Sequence, residues 1–346
     1  MTDPIDRKRS GGLKAGKLPH DLLDSLLRRI EHRDPRVLLG AGIGRDAALI
    51  SFGGSTLIAK TDPVTFASDS IGWYAVHVNA NDIACMGGEP KWFLATVLLP
   101  EGSPPALAET IFEQFWRAST ELGVELVGGH TEVTVGQPRP VVVGVMLGEA
   151  PAGKTISPEQ ARPGDVLILT KAIAIEGTSL LAREAAHKLA AAGVSATAIE
   201  RAAKLLFEPG ISVVPDARLA CSAPGGVTAM HDPTEGGLAT ALAEMAAASG
   251  CGLEVDARAV PMLPETREFC AALGADPWGL IASGALLIAA TRGSVDGVIG
   301  RVRSGGIPAT VIGRLTASGS GLVVRDGIRT RPLPRFDRDE IARLLE

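Results

Sequence analysis

Three aspartates in the first quarter of the chain stand at the ends of apolar segments. Asp46 precedes a segment with strand character, Asp62 follows a second such segment, and Asp82 lies near the end of an apolar helix. Each alone is typical of a helix cap or a turn. Together they predict a cation site, because gathered carboxylates repel one another unless a cation balances them. Oxygen ligands favour Mg²⁺, which also binds phosphate oxygens. His130 and Glu132 are further candidates for this site, and the alternative for His130 is a loop histidine with no ligand role.

The segment that carries Asp82, residues 77–88, predicts the last turns of a buried helix, ended by a glycine pair. Its apolar positions recur at helical spacing: Val76, Ala80, Ile83, Ala84 and Met86. Asn79 and Asp82 nevertheless share one helix face, although such residues usually occupy caps and turns. Two interpretations follow: a capped surface helix, or a helix whose polar face binds a ligand or a metal.

Two glycine-containing segments predict contact with an anion. Residues 231–237 place Asp232 ahead of a glycine pair, Gly236-Gly237, at a predicted helix start, where backbone N–H groups can bind an anion. The alternative is an ordinary N-cap. Residues 1–16 predict a flexible segment rich in glycine and basic residues, followed by Lys17. Carboxylates for Mg²⁺, a glycine-rich helix start and a Gly/Lys loop together fit ATP chemistry.

The composition limits the class of protein. The 346 residues are 46% hydrophobic and 21% charged, which is typical of a folded soluble protein. The net charge of −5 argues against nucleic acid as a partner. We expect no membrane span, since no apolar run approaches about 20 residues, and no secretory signal. The four cysteines lack C-x-x-C spacing, which predicts reduced thiols and a cytoplasmic location.

Strand and helix patterns alternate in both halves of the chain, which predicts an α/β or α+β fold with two domains. The proline- and glycine-punctuated residues 151–163 are the predicted linker. The predicted domains are therefore residues 17–150 and 164–346, preceded by the flexible residues 1–16. The glycines at 40, 42 and 44 do not complete a dinucleotide fingerprint, because Arg45 stands where the third glycine would lie and a strand follows.

Five ordered motifs resemble the AIR synthase superfamily, which includes aminoimidazole ribonucleotide synthetase, selenophosphate synthetase, thiamine-monophosphate kinase and the hydrogenase-maturation protein HypE. The motifs are Gly44-Arg45-Asp46-Ala47-Ala48, Thr61-Asp62, the stretch from Val78 to Gly88, Gly128-Gly129-His130-Thr131, and the stretch from His231 to Leu238. The resemblance extends from about residue 16 to 313.

This resemblance implies an N-terminal domain that pairs with a second copy in a dimeric β-barrel, and a C-terminal α/β domain. It implies that ATP and Mg²⁺ are bound by a set of carried-over residues: Asp46, Asp62, Asn79 and Asp82, with Gly128, Gly129 and Thr131 nearby. Lys17 matches the basic residue of the family's mobile N-terminal loop, while Asp232 and Gly236 lie on the substrate side. Arg45 replaces one of two adjacent aspartates, so it is expected to contact a phosphate or to reduce the number of bound metal ions.

Within the superfamily, residues 16–20 and the motif at 232–238 resemble HypE most. HypE chains end in Pro-Arg-Ile-Cys, whereas here Pro334-Arg335 is followed by Phe336 and no cysteine follows Cys270. We therefore expect an ATP-dependent enzyme that moves the γ-phosphoryl group to an oxygen of a small substrate, in amide or carbamoyl activation. A kinase resembling thiamine-monophosphate kinase and a non-catalytic nucleotide-binding accessory protein are the alternatives.

Overall fold

The computed structural model describes residues 18, 20–30, 32–67 and 69–345. The predicted flexible segment 1–16 and Lys17 lie outside the described residues. The helices are α1 (His20–Leu27), α2 (Ile71–Cys85), α3 (Pro105–Leu122), α4 (Ile175–Glu184), α5 (Ala186–Ala191), α6 (Ala196–Lys204), α7 (Val214–Ser222), α8 (Gly237–Ser249), α9 (Pro264–Leu273), α10 (Val295–Ser304) and α11 (Glu340–Leu344).

The strands form two separate sheets. They are β1 (Val37–Leu39), β2 (Ala48–Phe52), β3 (Ser55–Val64), β4 (Glu89–Pro100), β5 (Glu125–Thr134), β6 (Val141–Pro151), β7 (Val166–Thr170), β8 (Val227–His231), β9 (Gly252–Asp256), β10 (Leu287–Ala290), β11 (Ala309–Thr316), β12 (Leu322–Asp326) and β13 (Arg329–Pro332). The first sheet has the order β1-β2-β3-β6-β4-β5, and the second has the order β13-β12-β9-β11-β7-β10-β8. This mixed two-sheet architecture confirms the predicted fold class.

The first sheet is antiparallel except at its β4–β5 edge, where the two strands run parallel. Side chains alternate between buried and half-buried along β4 and β6, because successive residues of a strand point to opposite faces. The buried face packs on α2 and α3. The opposite face is apolar yet only half-buried: Trp92, Leu94, Leu98, Val143, Val145 and Leu147.

One large core joins the two halves of the chain. Buried side chains of the first sheet and α2 belong to the same cluster as Ile211, Val213 and Leu280 of the second half. A second cluster fills the other face of the second sheet, between its strands and α8. The helix α2 therefore lies between the two sheets, and fourteen of its fifteen residues are buried. This position explains its apolar composition, and it confirms the prediction of a buried helix.

The structure corrects several sequence-based boundaries. The segment 128–132 was expected to follow a short strand as a loop, but it lies within the longer β5. Asp62 was expected to follow its strand, but it lies within β3, two residues before the strand ends. Three elements were not predicted: β1, β13 and α7. β1 and β13 have three and four residues, too few for hydrophobic periodicity to reveal them. The nine-residue α7 has a proline in its first turn and buries mainly small residues, so its apolar pattern is weak.

Candidate functional site

The carboxylates predicted to form a cation site surround a lysine. Nζ of Lys60 lies 3.0 Å from an oxygen of Asp82 and 3.6 Å from an oxygen of Asp62. Lys60 and Asp62 are two apart in β3 and therefore project from the same face of that strand, while Asp82 reaches them from α2. Burial alone would lower the pKa of Lys60, but the neighbouring carboxylates, Asp82 foremost, outweigh burial and raise it. The ammonium group is therefore charged.

Asp46 is held from the other side by a histidine. Nδ1 of His231, the last residue of β8, lies 2.6 Å from Oδ1 of Asp46, and its Nε2 lies 3.0 Å from Glu244 of α8. All three side chains are buried. Burial alone would lower the pKa of His231, but Asp46 and Glu244 raise it well above its usual value. An imidazolium between two carboxylates therefore fixes the position of Asp46.

Two buried carboxylate oxygens retain capacity for a cation. Oδ2 of Asp46 and Oδ2 of Asp232 have no hydrogen-bond partner among the described residues, although the two residues are only 6% and 1% exposed. Ligand atoms of Asp46, Asp232 and Cys85 lie within 4.8 Å of one another. Burial, then the charge of Asp46, raises the pKa of Asp232 to about 7. Unpartnered buried carboxylate oxygens are costly, and they fit a divalent cation such as Mg²⁺.

Asn79 connects α2 with the strand that carries Asp62. Its Nδ2 donates to the carbonyl oxygen of Asp62 at 3.3 Å and to that of Ala75 at 2.9 Å. Gly144 of β6 makes this approach possible, because a Cβ there would lie 2.3 Å from Nδ2 of Asn79. Asn79 thus contacts the backbone beside Asp62, and its role in binding ATP stays a prediction.

The glycine motif of β5 lies away from the carboxylates of its own chain. Gly129 pairs with Ala95 in β4, Ala95 with Gly144 in β6, and Gly144 with Asp62 in β3. Three inter-strand spacings of about 4.8 Å separate Gly129 from Asp62, or about 14 Å. Gly128, Thr131, His130 and Glu132 are also exposed on β5, where His130 and Glu132 contact each other at 3.1 Å.

Arg45 and Gly236 have partners within the chain. Nε of Arg45 donates to Glu159 at 2.7 Å, and its Nη1 donates to the carbonyl oxygen of Gly40. Gly236 is the N-cap of α8 with φ 80°, and its N–H donates to the carboxylate of Asp339 at 2.6 Å. The anion at this helix start is therefore a side chain of the protein itself, and a ligand anion would have to displace it.

A cavity of 480 Å³ opens beside the carboxylate cluster, between the two halves of the chain. Its lining residues include Asp62, Arg139, Glu176, Glu235 and Ser283. Burial raises the pKa of Glu176 to about 7, while the Ser283 amide donates a hydrogen bond to its carboxylate. Asp62 belongs to both the cavity and the carboxylate cluster, so a molecule in the cavity can contact the charged groups.

Sequence reasoning missed four residues of this site. Lys60 could have been found from its two-residue spacing to Asp62 within a strand, and Glu244 from its position on the buried face of α8. No sequence signal marks Glu176 or Gly144 as neighbours of the site, because both are placed there by long-range packing. Cys85, for which the sequence indicates only a structural role, donates to Asp232 at 3.6 Å. His77, also interpreted as structural, is buried against the ring of Trp73, and burial lowers its pKa to about 3.

Comparison with known proteins identifies the family of this chain. Residues 44–150 match the family model described as AIR synthase related protein, N-terminal domain, and residues 162–325 match the corresponding C-terminal domain. Carbamoyl dehydratase HypE of Rhodobacter capsulatus is 31% identical over 319 residues, covering 89% of this chain and 88% of the relative. HypE of Cupriavidus necator is 30% identical over 313 residues, with 85% and 86% covered.

Solved structures share the fold. A HypE–HypF complex matches 91% of this chain and 99% of the solved one, with a TM-score of 0.72 and 20% identity. HypE in complex with ATP matches 90% and 92%, with a TM-score of 0.67 and 24% identity. AaThiL, complexed with AMPPCP and TMP, matches 89% and 93%, with a TM-score of 0.67 and 20% identity. The chain therefore belongs to the AIR synthase related family of enzymes and has its two-domain α/β fold.

Proposed function

We propose that this protein is an ATP-dependent enzyme that transfers the γ-phosphoryl group to an oxygen atom of an amide- or carbamoyl-type substrate and releases ADP. In this reaction the bond between the γ-phosphorus and the β,γ-bridging oxygen breaks, and a bond from the γ-phosphorus to the substrate oxygen forms. A phosphorylated carbonyl oxygen becomes a leaving group, so dehydration can follow.

The observation that carries the proposal is the buried carboxylate cluster at the mouth of the cavity. Phosphoryl transfer depends on positioning and on charge neutralisation rather than on covalent chemistry by the protein. Asp46, Asp62 and Asp82 converge from a loop, a strand and a helix on one place, and two buried carboxylate oxygens there lack partners. A HypE bound to ATP and a ThiL bound to AMPPCP, both with this fold, support nucleotide binding.

In this proposal the carboxylates Asp46, Asp62 and Asp82, with Asp232 beside them, form the site that receives Mg²⁺, and the phosphates are held through the Mg²⁺. When bound, Mg²⁺ supplies positive charge that neutralises the phosphate oxygens. Asn79 fixes the spacing between α2 and the Asp62 backbone, so that these carboxylates stay in place. Lys17, which lies outside the described residues, keeps the catalytic role that the family motif implies.

We further propose that the enzyme is a homodimer. The half-buried apolar face of the first sheet is a surface that a second copy would cover. A second copy would also bring its Gly128, Gly129 and Thr131 to the carboxylate cluster, which the same residues of one chain do not reach. Val133 and Val135, at 62% and 81% exposed, extend the apolar surface along the edge of β5.

The phosphoryl acceptor is a small molecule in the cavity or a group carried by a partner protein, and the solved HypE–HypF complex supports a protein partner. A role in metalloenzyme maturation belongs to this proposal.

No helix within the described part of the chain is long and apolar enough to cross a membrane. The proposal includes a cytoplasmic location, supported by four cysteines that are all unpaired.

A kinase related in function to thiamine-monophosphate kinase is the second candidate, favoured by the fold similarity to AaThiL. A panel of acceptors separates the two functions. ADP release stimulated by a carbamoyl or amide compound supports the first, and release stimulated only by a phosphomonoester such as thiamine monophosphate supports the second. Nucleotide binding without turnover on any acceptor would instead indicate an accessory protein.

The decisive variant is Asp82→Asn, compared with Asp296→Asn, which changes an exposed carboxylate on α10. Removing one group that stabilises transition-state charge typically costs about 10²–10³ in turnover. Asp82 acts on that charge through the cations it positions, so we expect D82N to lose ADP release to this extent. D296N should retain it. Circular dichroism must show that both variants are folded, and full turnover by folded D82N would refute the site assignment.

A further inference from the structure

The carboxylate cluster already contains a cation that belongs to the protein. The Lys60 side chain is 21% exposed, and its ammonium group lies 3.0 Å from Asp82 and 3.6 Å from Asp62. An ammonium group is buried only where opposite charges compensate its lost hydration. Asp82, at 4% exposed, has the same requirement. The lysine and the two aspartates therefore balance one another.

This ammonium group occupies the space in which a metal bound to Asp62 and Asp82 would lie. Mg²⁺ binds oxygen ligands at about 2.0–2.1 Å, so an ion at the same oxygen atom of Asp82 would lie within a few ångströms of Lys60. Two cations separated by only a few ångströms in a buried place repel each other strongly. A divalent ion therefore cannot take this position unless Lys60 leaves it.

The remaining capacity for a cation lies on the other side of the cluster. Oδ2 of Asp46 and Oδ2 of Asp232 are buried without hydrogen-bond partners among the described residues, and ligand atoms of these two residues and Cys85 lie within 4.8 Å of one another. His231 holds the other oxygen of Asp46 at 2.6 Å. Oδ2 of Asp82 also lacks a hydrogen bond within the described part of the chain, but it has the Lys60 ammonium group at 3.0 Å. The oxygens of Asp46 and Asp232 are therefore the ligands that the protein has left open.

We infer that the Lys60 ammonium group takes the place of one divalent cation, so that Asp62 and Asp82 are balanced internally and a divalent cation binds at Asp46 and Asp232. The inference rests on the proposed function for its ligand, Mg²⁺ with a nucleotide. It sharpens that function by dividing the carboxylates into two sets with different partners. Lys60 is a positioning residue here, because it acts through the aspartates.

Binding of Mn²⁺, counted by the loss of its free-ion electron paramagnetic resonance signal, tests the inference without nucleotide. We expect Lys60→Met to bind one more Mn²⁺ per chain than the wild type, and Mn²⁺ to raise the melting temperature of K60M more than that of the wild type. Lys60→Arg keeps the charge and should bind as the wild type does. Lys91→Met, an exposed lysine on β4, is the matched control. Equal Mn²⁺ counts in K60M and wild type would overturn the inference.

A second pair of variants decides the question if K60M does not fold. Asp46→Asn should weaken Mn²⁺ binding at least about tenfold, since loss of even an outer-shell partner of a metal ligand costs about 10–100-fold. Asp62→Asn should change it less than about threefold. The reverse order would overturn the inference. These counts need no turnover, so they separate this inference from the proposed function, which fails if no acceptor stimulates ADP release.

Nucleotide binding without metal provides a further test of whether Lys60 takes the place of a divalent cation. In EDTA, which removes divalent ions, a fluorescent non-hydrolysable ATP analogue should still bind the wild type. K60M should bind this analogue at least about tenfold more weakly, and K91M should bind it as tightly as the wild type. If Lys60 only stabilised the fold, folded K60M would bind the analogue in EDTA with the same affinity as the wild type. Such a result would also contradict the inference.

Discussion

Asn81 of α2 and Val213, 132 residues later in the chain, are joined by a buried hydrogen bond of 2.8 Å in which the Val213 amide donates to the Asn81 side chain. The Nδ2 group of Asn81 donates to the carbonyl oxygen of Ile211 at 2.9 Å. One side chain thus fastens the second half of the chain to the helix, immediately before Asp82. The orientation of α2, and with it the position of Asp82, depends on this contact.

We expect Asn81→Ala to lower the free energy of unfolding by about 2–4 kcal/mol, because it leaves a buried N–H and a buried carbonyl without partners. Urea unfolding followed by circular dichroism measures this loss. Gln160→Ala, at an exposed amide with one long hydrogen bond, is the control and should change stability by less than about 0.5 kcal/mol. A similarly small loss in N81A would contradict the role assigned to Asn81.

Gly144→Ala should disturb the site through Asn79. The added Cβ would lie 2.3 Å from Nδ2 of Asn79 and 2.8 Å from the Phe93 ring, and such overpacking typically costs about 1–3 kcal/mol. We expect lower stability together with weaker nucleotide binding. Gly300→Ala in α10, where a Cβ meets nothing within 4 Å, should instead stabilise the protein by about 0.4–1 kcal/mol. Equal melting temperatures for G144A and G300A would contradict the claim that the close approach of Asn79 to Gly144 requires a glycine.

Glu176 makes stability depend on pH. Its folded pKa of about 7 exceeds the ordinary 4.5, so between these values the unfolded chain releases a proton that the folded chain keeps. The contribution of Glu176 to the free energy of unfolding is then fully present below about pH 4.5. It is lost as the pH rises through 7, by about 3 kcal/mol in all. Glu176→Gln removes this loss and should stabilise the protein at pH 8 but hardly at pH 4.5.

Melting temperatures of E176Q and wild type across this pH range check the sign. Glu200→Gln, an exposed glutamate of α6, is the control and should show no such trend. A gain for E176Q that was equally large at both ends of the range would point to packing rather than to the proton.

Val145→Lys should separate the proposed dimer. Val145 lies in the middle of the half-buried apolar face, in the same row as Thr61, Leu94 and Gly128, so a charge there would be buried on association. Light scattering after size exclusion should show a dimer for the wild type and a monomer for V145K. Val311→Lys, at a 41% exposed position on the second sheet, should remain a dimer, and a dimeric V145K would contradict this interface.

Much of the fold was predictable because its patterns are local. The strand Val166–Thr170 was predicted with its observed bounds, and the glycine pair does end α2, since Gly87 adopts φ 76°. The sequence predicts a strand that ends at Val127, shorter than β5, because Gly128 and Gly129 are poor strand formers. Pairing with β4 keeps both glycines in the sheet, with Gly129 at φ 149°, and this tertiary contact outweighs the local preference.

The candidate site was predictable in its acidic members and not in its cations. Asp46, Asp62 and Asp82 stand out because carboxylates are unusual in apolar surroundings. Lys60 has an ordinary place in an alternating strand, and only the packing of α2 on β3 turns it toward Asp82. The sequence predicts a free amide at Gly236 that could bind an anion. Only the fold reveals that this amide donates to Asp339, 103 residues away.

The single core that joins both sheets bears on how the molecule unfolds and is degraded. Trp73, Ile83 and Val213 belong to one cluster, so neither half can expose its side of that cluster to water without a large loss of burial free energy. We expect one cooperative melting transition rather than two. A protease that cuts between residues 151 and 163 should therefore leave two fragments that stay associated, and neither fragment alone should persist as a folded unit.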